Sequence, residues 1–370
     1  MTSHQPRVVV VGAGILGVAM ARELALRGAR VTLLDREQPG SGATGVAFAW
    51  LTNQTHFRNA HGLPDADARH YFGLHRLALG AWRRLQRASA DDLGVRWHGT
   101  VQLTSADGPD RDLLERDLRR RLAWGSPSHR IDADTAARLL PEAVIPPDTI
   151  GFHTADEGSV DPNAALAALM RAVERLGVEF RSHTEVLAVD GTTVVTAPGS
   201  IDAEHVVITS GADSPALLAP LGITAPLTES SGSIVHLAPM HRILDPVLLS
   251  FDVHAIQRPD GRLVIARHYS GSTVGDPDGL DSTQLLAEAA ALLPALRDAE
   301  IEKTTTGRRI VPGDGLPIIG HSPVSPGVHS ITTNAGITLA PILAQLMTTE
   351  ILDGATVDLL TPYRDTRFAR

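Results

Sequence analysis

The chain has 370 residues and a mass of 39.3 kDa, which suffices for two domains or one large one. It contains no cysteine, so disulfide bonds, thiolate metal ligands, cysteine nucleophiles and cysteine-linked cofactors are excluded. The net charge of −9 and the aromatic content of 4% argue against a nucleic-acid-binding surface. Lysine chemistry is limited to one position, because Lys303 is the only lysine in the sequence.

No targeting or membrane-spanning segment is visible. The first six residues, MTSHQP, lack the basic region and apolar run of a signal peptide. No window of about 18 apolar residues follows. We therefore expect a cytoplasmic protein with no membrane partner.

The strongest motif is a glycine-rich turn between a predicted strand and a predicted helix. Residues 7–11 (RVVVV) are β-branched and unbroken, which is typical of a buried parallel strand. The GAGILG turn at 12–17 follows and opens a helix that reaches about Arg27. A second buried strand, 30–35, ends at an aspartate. This arrangement predicts a parallel βαβ unit with a dinucleotide site at its turn.

Each part of this unit has a physical role in nucleotide binding. Gly12 permits the tight turn, Gly14 lets backbone amides approach a diphosphate, and Gly17 lets the helix pack closely on the sheet. An acidic residue at the end of the second strand accepts ribose hydroxyls and repels a 2′-phosphate. The predicted nucleotide contacts of this unit are Gly12, Gly14, Ile15, Leu16, Gly17 and Asp35. The unit alone does not distinguish FAD from NAD.

The remaining elements suggest interleaved domains. Helices are predicted at 73–87 and 111–124, and a third helix begins at Asp161-Pro162 and ends near Gly177. Short strands are predicted at 178–181, 185–189, 193–196 and 205–209, longer antiparallel strands at 232–238 and 247–267, and helices near 283–297 and 338–352. The parallel pattern recurs at the front, middle and end of the chain, with antiparallel segments between.

Two groups of polar residues predict no separate site. Four histidines have spacings that do not put neighbours on one helical face, so we expect surface or substrate-domain side chains and no metal centre. These are His56, His61, His70 and His75. The run Arg119-Arg120-Arg121, with Glu115 and Asp117 nearby, predicts a solvated helix face.

The segment 35–51 (DREQPGSGATGVAFAWL) resembles the loop after the second strand in the D-amino-acid oxidase superfamily of flavoenzymes, which includes glycine oxidase and monomeric sarcosine oxidase. Further segments resemble the family in the same order, at 151–166, 206–212, 307–320 and 336–341. The resemblance implies an α/β fold, in which a Rossmann-like FAD-binding domain is interleaved with a smaller antiparallel-sheet α+β substrate domain. The FAD-binding domain would comprise about 1–80, 150–217 and 305–370, and the substrate domain about 81–149 and 218–304.

The resemblance also implies how FAD is held. Besides the turn and Asp35, the implied cofactor contacts are Arg36, Gly42, Ala43, Thr44, Val186, Ser210, Gly211, Gly336, Ile337, Thr338 and Leu339. The last four residues begin a helix whose positive end would stabilise negative charge on a reduced flavin. We expect noncovalent FAD, because no cysteine is present and Val46 lies about where a histidine-linked relative has its attachment residue.

Arg309 aligns with the arginine that pairs with the substrate carboxylate in the amino-acid oxidases of this family. The alternative is an arginine that braces the C-terminal segment. His254, Arg267 and His268 are candidate cleft residues. Trp50 is expected either near the flavin ring or as an ordinary core tryptophan. Departures from the family at Ile310, 231–233 and 333–335 suggest a cleft retuned for a different substrate.

The expected activity is FAD-dependent oxidation of a C–N bond in a small amine or amino acid. Hydride would pass to flavin N5, an imine would form, and dioxygen or another acceptor would reoxidise the flavin. One alternative is a flavin dehydrogenase acting on a hydroxy acid or a biosynthetic intermediate. A second is a nucleotide-binding regulatory protein without turnover. A third, modification of tRNA bases, is disfavoured by the acidic net charge.

Overall fold

The structure is a computed structural model that describes residues 4–53, 62–250, 253–267 and 281–368. Its helices are α1 (Ile15–Leu26), α2 (Asp65–Ala88), α3 (Arg111–Ala123), α4 (Ala133–Leu139), α5 (Pro162–Arg175), α6 (Ser214–Leu218), α7 (Ser282–Leu292) and α8 (Gly336–Asp353). Its strands are β1 (Arg7–Val11), β2 (Arg30–Leu34), β3 (Trp50–Leu51), β4 (Val95–Arg96), β5 (Thr100–Ser105), β6 (Ser128–Asp132), β7 (Thr149–Thr154), β8 (Gly158–Val160), β9 (Glu179–Arg181), β10 (Val186–Asp190), β11 (Thr193–Thr196), β12 (Gly199–Asp202), β13 (His205–Ile208), β14 (Leu227–Leu237), β15 (Val247–Ser250), β16 (Val253–Gln257), β17 (Leu263–Arg267), β18 (Ile301–Pro312), β19 (Ile318–His321) and β20 (Val328–Thr332).

Strands β19, β20, β13, β1, β2 and β9 form, in this order, the parallel sheet. Its pairs are parallel apart from β19, which runs antiparallel to β20 at the edge. In β1, Val8 and Val10 pack into the core that includes α1, α5 and α8, whereas Val9 and Val11 pack into the core on the opposite face. Burial on both faces explains why the strand is an unbroken run of valines.

Strands β18, β14, β17, β16, β15, β5, β7 and β6 form, in this order, the large sheet. Its pairs are antiparallel apart from β15 with β5. One face, the α7 face, packs against α7 through side chains such as Val235 and Ile265. The other face, the Phe48 face, packs against Phe48 through Ile234 and Val264. Side chains alternate between these two faces along each strand.

The predicted fold class is confirmed, because parallel βα elements from the front, middle and end of the chain form one sheet and separate antiparallel elements form another. The helix predicted at 73–87 is longer than expected, because α2 begins at Asp65 with acidic residues in its first turn. The segment 247–267, predicted as antiparallel strands with a turn at 258–261 between two of them, contains three strands, β15 to β17. Strands β3 to β8, β12 and β18 to β20 were not predicted.

The predicted domain boundaries at 150 and 305 fall inside β7 and β18, which both belong to the large sheet. Sheet membership therefore favours boundaries a few residues later, and the domain division stays a prediction. Among the residues that the structure describes, no helix has both the length and the apolar composition that crossing a bilayer requires.

Candidate active site

A cleft of about 830 Å³ opens beside the carboxyl ends of β1, β2, β13 and β20. Parallel sheets bind their ligands at this edge. Most of the predicted cofactor contacts line the cleft, namely Gly12, Gly14, Ile15, Leu16, Asp35, Arg36, Gly42, Ala43, Thr44, Val186, Ser210, Gly211 and Gly336. Segments far apart in the sequence therefore meet around one cavity.

The glycine-rich turn is shaped by close backbone approach. Gly12 has a φ of 100°, in the left-handed region, and a Cβ there would lie 2.8 Å from the carbonyl oxygen of Thr209. A Cβ at Gly17 would lie 1.8 Å from the carbonyl oxygen of Gly12. Gly17 therefore does not line the cleft but lets α1 start directly against the sheet, so that its first amides face the cavity.

Side chains around the turn hold it in place. Asp35 accepts hydrogen bonds from the backbone amides of Ala13 (2.6 Å) and Glu37 (2.9 Å) through its two carboxylate oxygens. The hydroxyl oxygen of Thr44 accepts one from the amide of Ile15 (3.1 Å), in the first turn of α1. A carboxylate, a hydroxyl and a helix N-terminus thus border a glycine cradle that any Cβ would narrow, and this donor set fits a dinucleotide such as FAD.

Four residues at the start of α8, 336–339, were predicted to contact the cofactor. Of these, Gly336 lines the cleft and the other three do not. The indole nitrogen of Trp82 donates to the carbonyl oxygens of Ile337 (3.0 Å) and Thr338 (3.1 Å). The Thr338 hydroxyl donates to the carbonyl oxygen of Trp50 (3.1 Å), and Leu339 is fully buried in the core. These side chains fix the helix, so only its first backbone amides remain as candidate contacts for a flavin.

Trp50 lies beside the cleft rather than in its lining. Its indole nitrogen donates to the hydroxyl of Thr100 (2.8 Å) and to the carboxylate of Glu157 (3.2 Å). Trp50 also packs against Val247 and Ile256 on the Phe48 face of the large sheet. It therefore connects the segment 35–51, which we call the flavin loop, to that sheet.

Arg121 corrects the expectation of a solvated helix face. Its side chain is fully buried and donates to Asp117 (2.7 Å), Asn53 (2.9 Å) and Glu157 (3.0 Å). Asp117 lies four residues earlier on α3, so the same helical face presents both charges inward. Burial raises the pKa of both carboxyl groups, an effect that the neighbouring Arg121 opposes. We call Asp117, Arg121 and Glu157 the buried ion cluster.

Arg309 lies on the Phe48 face of β18, half-buried, opposite Ser230 in the register of β14. Its guanidinium covers Gly232, where a Cβ would lie 2.0 Å from Nη2. Gly307, two residues earlier, lines the cleft, and a Cβ there would lie 2.2 Å from Val46. Arg309 is therefore next to the corner of the cleft that Gly307 and Val46 form, although it does not line the cleft itself.

The other predicted substrate residues are separated by the large sheet. His254 lies on the Phe48 face, with its ring centroid 6.0 Å from that of Phe48. Arg267 projects from the α7 face and donates to Glu288 of α7 (2.7 Å). The sheet thus separates Arg267 from Arg309 and His254, while His268 is outside the described residues.

A residue that the sequence did not reveal is Arg258, in the turn between β16 and β17. Its guanidinium is buried and donates to the carbonyl oxygens of Val160 (2.5 Å) and Phe48 (2.9 Å). Burial lowers its pKa. It steadies the backbone before Ala49, a non-glycine residue with a φ of 61°. An Arg-Pro-Asp-Gly sequence indicates a turn and carries no signal for this role.

The four histidines considered in the sequence as possible metal ligands do not form a described cluster. His75 is buried, with Nδ1 2.8 Å from the carbonyl oxygen of Thr52, and burial lowers its pKa to about 4. His70 lies 3.0 Å from the carbonyl oxygen of Leu359. His56 and His61 are outside the described residues. Among the residues with described positions, no cluster of three or more acidic or histidine side chains is arranged to hold a metal ion.

Comparison with known proteins gives one consistent answer. Residues 7–350 match the model of the DAO family, FAD dependent oxidoreductase. The chain is 30% identical to a glycine oxidase of Pseudomonas aeruginosa over 92% of this chain and 93% of that protein. It is 25% identical to one of the subunits of an opine oxidase from Agrobacterium tumefaciens, over 99% and 98% of the two chains. The crystal structure of glycine oxidase from Geobacillus kaustophilus has the same fold, with a TM-score of 0.85, 24% identity and coverage of 98% and 99%. This chain therefore belongs to the DAO family of FAD-dependent oxidoreductases.

Proposed function

We propose that this enzyme oxidises a C–N bond of a small amino acid or amine, and that Arg309 binds the substrate carboxylate. The observation that carries the proposal is the position of Arg309 beside Gly307 and Val46, at one corner of the FAD cleft. The relatives named glycine oxidase and opine oxidase support oxidation of amino acids and their derivatives.

The residues of this chain divide the work. Bound FAD supplies the hydride acceptor. The α1 turn and Asp35 would hold the dinucleotide, and Gly336 brings the start of α8 to the same cleft. Arg309 offers paired N–H donors for a carboxylate, which fixes the orientation of the neighbouring C–H and C–N bonds. Phe48 packs against Ile234 on the sheet face that also carries Arg309, so this part of the face is apolar.

We further propose that FAD is held without a covalent bond. The sequence has no cysteine, and Val46, which lines the cleft, cannot form a link. The cradle is made of backbone amides, glycines and the Thr44 hydroxyl. After acid precipitation of the holoenzyme, we expect all yellow flavin in the supernatant. Flavin that stays with the precipitated protein would contradict this.

The substrate proposal is tested by an anaerobic screen in which amines, amino acids and hydroxy acids are mixed with the FAD-loaded protein. We expect amino acids to bleach the visible flavin absorption. In Arg309→Met, the KM for the best amino acid should rise about 10- to 100-fold, since charged hydrogen bonds are lost. Arg309→Lys should recover part of the affinity.

Arg262→Met serves as the control for loss of an arginine, because Arg262 pairs with Glu302 (2.7 Å) at an exposed turn of the same sheet. Its KM should stay near that of the parent. Bleaching by hydroxy acids alone would favour the dehydrogenase alternative, and no bleaching by any compound would favour a protein without turnover.

The position of Lys303, far from the cleft, supports a second candidate function in which the electron acceptor is not dioxygen. It lies on β18 opposite His236, six residues and thus about 20 Å from Arg309, and its side chain is exposed. The resemblance to sarcosine-oxidase-like members of the family implies a lysine near the flavin that promotes reaction with oxygen. Among the described residues, no lysine lines the cleft. We propose that artificial quinone or dye acceptors reoxidise the reduced protein faster than air does. Rapid peroxide formation with dioxygen would exclude this version.

A further inference from the structure

We infer that Gly232 is a positioning residue for Arg309, since only a residue without a side chain at 232 lets the guanidinium lie flat against β14. The inference rests on the substrate role proposed for Arg309. Nothing in the backbone of Gly232 requires glycine, because its φ is outside the left-handed region. The requirement comes from the space above its Cα.

The three atoms nearest to a Cβ built on Gly232 all belong to one side chain. They are Nη2, Cζ and Nε of Arg309, at 2.0, 2.4 and 2.5 Å. Real Cβ atoms do not approach other heavy atoms this closely, so the guanidinium and a side chain at 232 exclude each other. All three belong to a flexible side chain and none to the backbone, so we expect an alanine at 232 to displace Arg309.

The register explains this arrangement. Gly232 pairs with Gly307 across β14 and β18, so two facing residues lack side chains next to Arg309. The space above Gly307 is taken by Val46 of the flavin loop, and the space above Gly232 by the guanidinium. The glycine pair thus brings the loop that lines the cofactor cleft and the carboxylate-binding group onto adjacent positions of the same sheet face.

The direct test is Gly232→Ala in the FAD-loaded full-length enzyme. We expect unchanged flavin content and thermal stability, a KM for the best amino acid raised about 10- to 100-fold, and a kcat within about threefold of the parent. Gly73→Ala is the matched control, because a Cβ at Gly73 in α2 meets open space. Its KM should not change.

A double-mutant cycle separates the positioning role of Gly232 from the carboxylate-binding role of Arg309. If Gly232 acts through Arg309, Gly232→Ala adds no further rise in KM to Arg309→Met. Additive effects would overturn the positioning role while leaving the carboxylate-binding role intact. If Arg309→Met itself leaves KM unchanged, the substrate proposal fails, and the positioning role fails with it. Loss of flavin from Gly232→Ala alone would also overturn it, because the change would then not be confined to Arg309.

Discussion

At the scale of single residues, the stability of the protein depends on buried groups outside the cleft. His329 of β20 lies between two other histidines, with Nδ1 2.8 Å from Nδ1 of His321 and Nε2 3.4 Å from Nδ1 of His205. His321, at one end of this row of three histidines, also contacts Glu350 (3.1 Å) and Arg364 (2.6 Å). Burial, together with the neighbouring histidines, lowers the pKa of His329 to about 3.

This pKa predicts acid sensitivity. An unfolded histidine binds its proton near pH 6.5, so between there and about pH 3 the unfolded state binds more protons than the folded state. The free energy of unfolding should therefore fall as the pH drops through this range, by up to about 1.4 kcal/mol per pH unit from this group. In His329→Asn, denaturant titrations at several pH values should give a shallower acid slope.

The control for that measurement is His241→Asn, which changes an exposed histidine in the loop before β15. Its acid slope should match the parent. Equal slopes in the parent and His329→Asn would show that His329 does not cause the acid sensitivity.

At the scale of elements, the buried ion cluster joins α3 to the segments that carry Trp50 and Asn53. Arg121→Met leaves two buried carboxylates without their cation, so we expect the free energy of unfolding to fall by about 3–5 kcal/mol. Arg119→Met, on the exposed side of the same helix, should change it by less than about 0.5 kcal/mol. Chemical denaturation measures both, and similar values for the two variants would refute a structural role for the cluster.

The nucleotide turn and helix α3 show where sequence reasoning succeeds and where it fails. The nucleotide turn was predictable because Gly12 and Asp35 act within one short βαβ unit, where sequence neighbours are also spatial neighbours. The burial of Arg121 was not, because Glu157 and Asn53 reach it from distant parts of the chain. An arginine run indicates solvent exposure only when no such partners exist.

Strand β18 illustrates the same limit for secondary structure. Its first half reads IEKTTT, with exposed polar residues at most positions, so no alternation identified it. The strand exists because it pairs along eleven residues of β14. Arg309 was identified through the resemblance, whereas its contact with Gly232 required the register of these two strands.

At the scale of the whole molecule, exposed charged side chains at the cleft link the parallel sheet to the large sheet. Asp213, which follows β13, pairs with Arg36 (2.9 Å) and with Arg308 of β18 (3.3 Å). Arg308 also pairs with Glu229 of β14 (2.7 Å). We call these four residues the mouth bridge, and all four line the FAD cleft.

The mouth bridge predicts salt-dependent retention of FAD. Exposed ion pairs contribute about 0.2–1 kcal/mol each and are screened by salt, so Asp213→Asn should speed FAD dissociation about two- to fivefold at low ionic strength. High salt should speed dissociation from the parent and narrow the difference. Flavin fluorescence after dilution measures the rate, and Glu302→Gln, which breaks an ion pair away from the cleft, should leave it unchanged. A rate that is equal in Asp213→Asn and the parent at low salt would falsify this role.

The order of strands in the parallel sheet also determines when the enzyme can mature. Strand β1 lies between β2, which is made immediately after it, and β13, which begins at His205, while β13 needs β20, which ends at Thr332. The sheet that carries the glycine turn is therefore complete only when almost the whole chain has left the ribosome. Such long sequence separations slow folding. Because Thr332 and Gly336 also line the cleft, we expect FAD to be loaded only after synthesis is nearly complete.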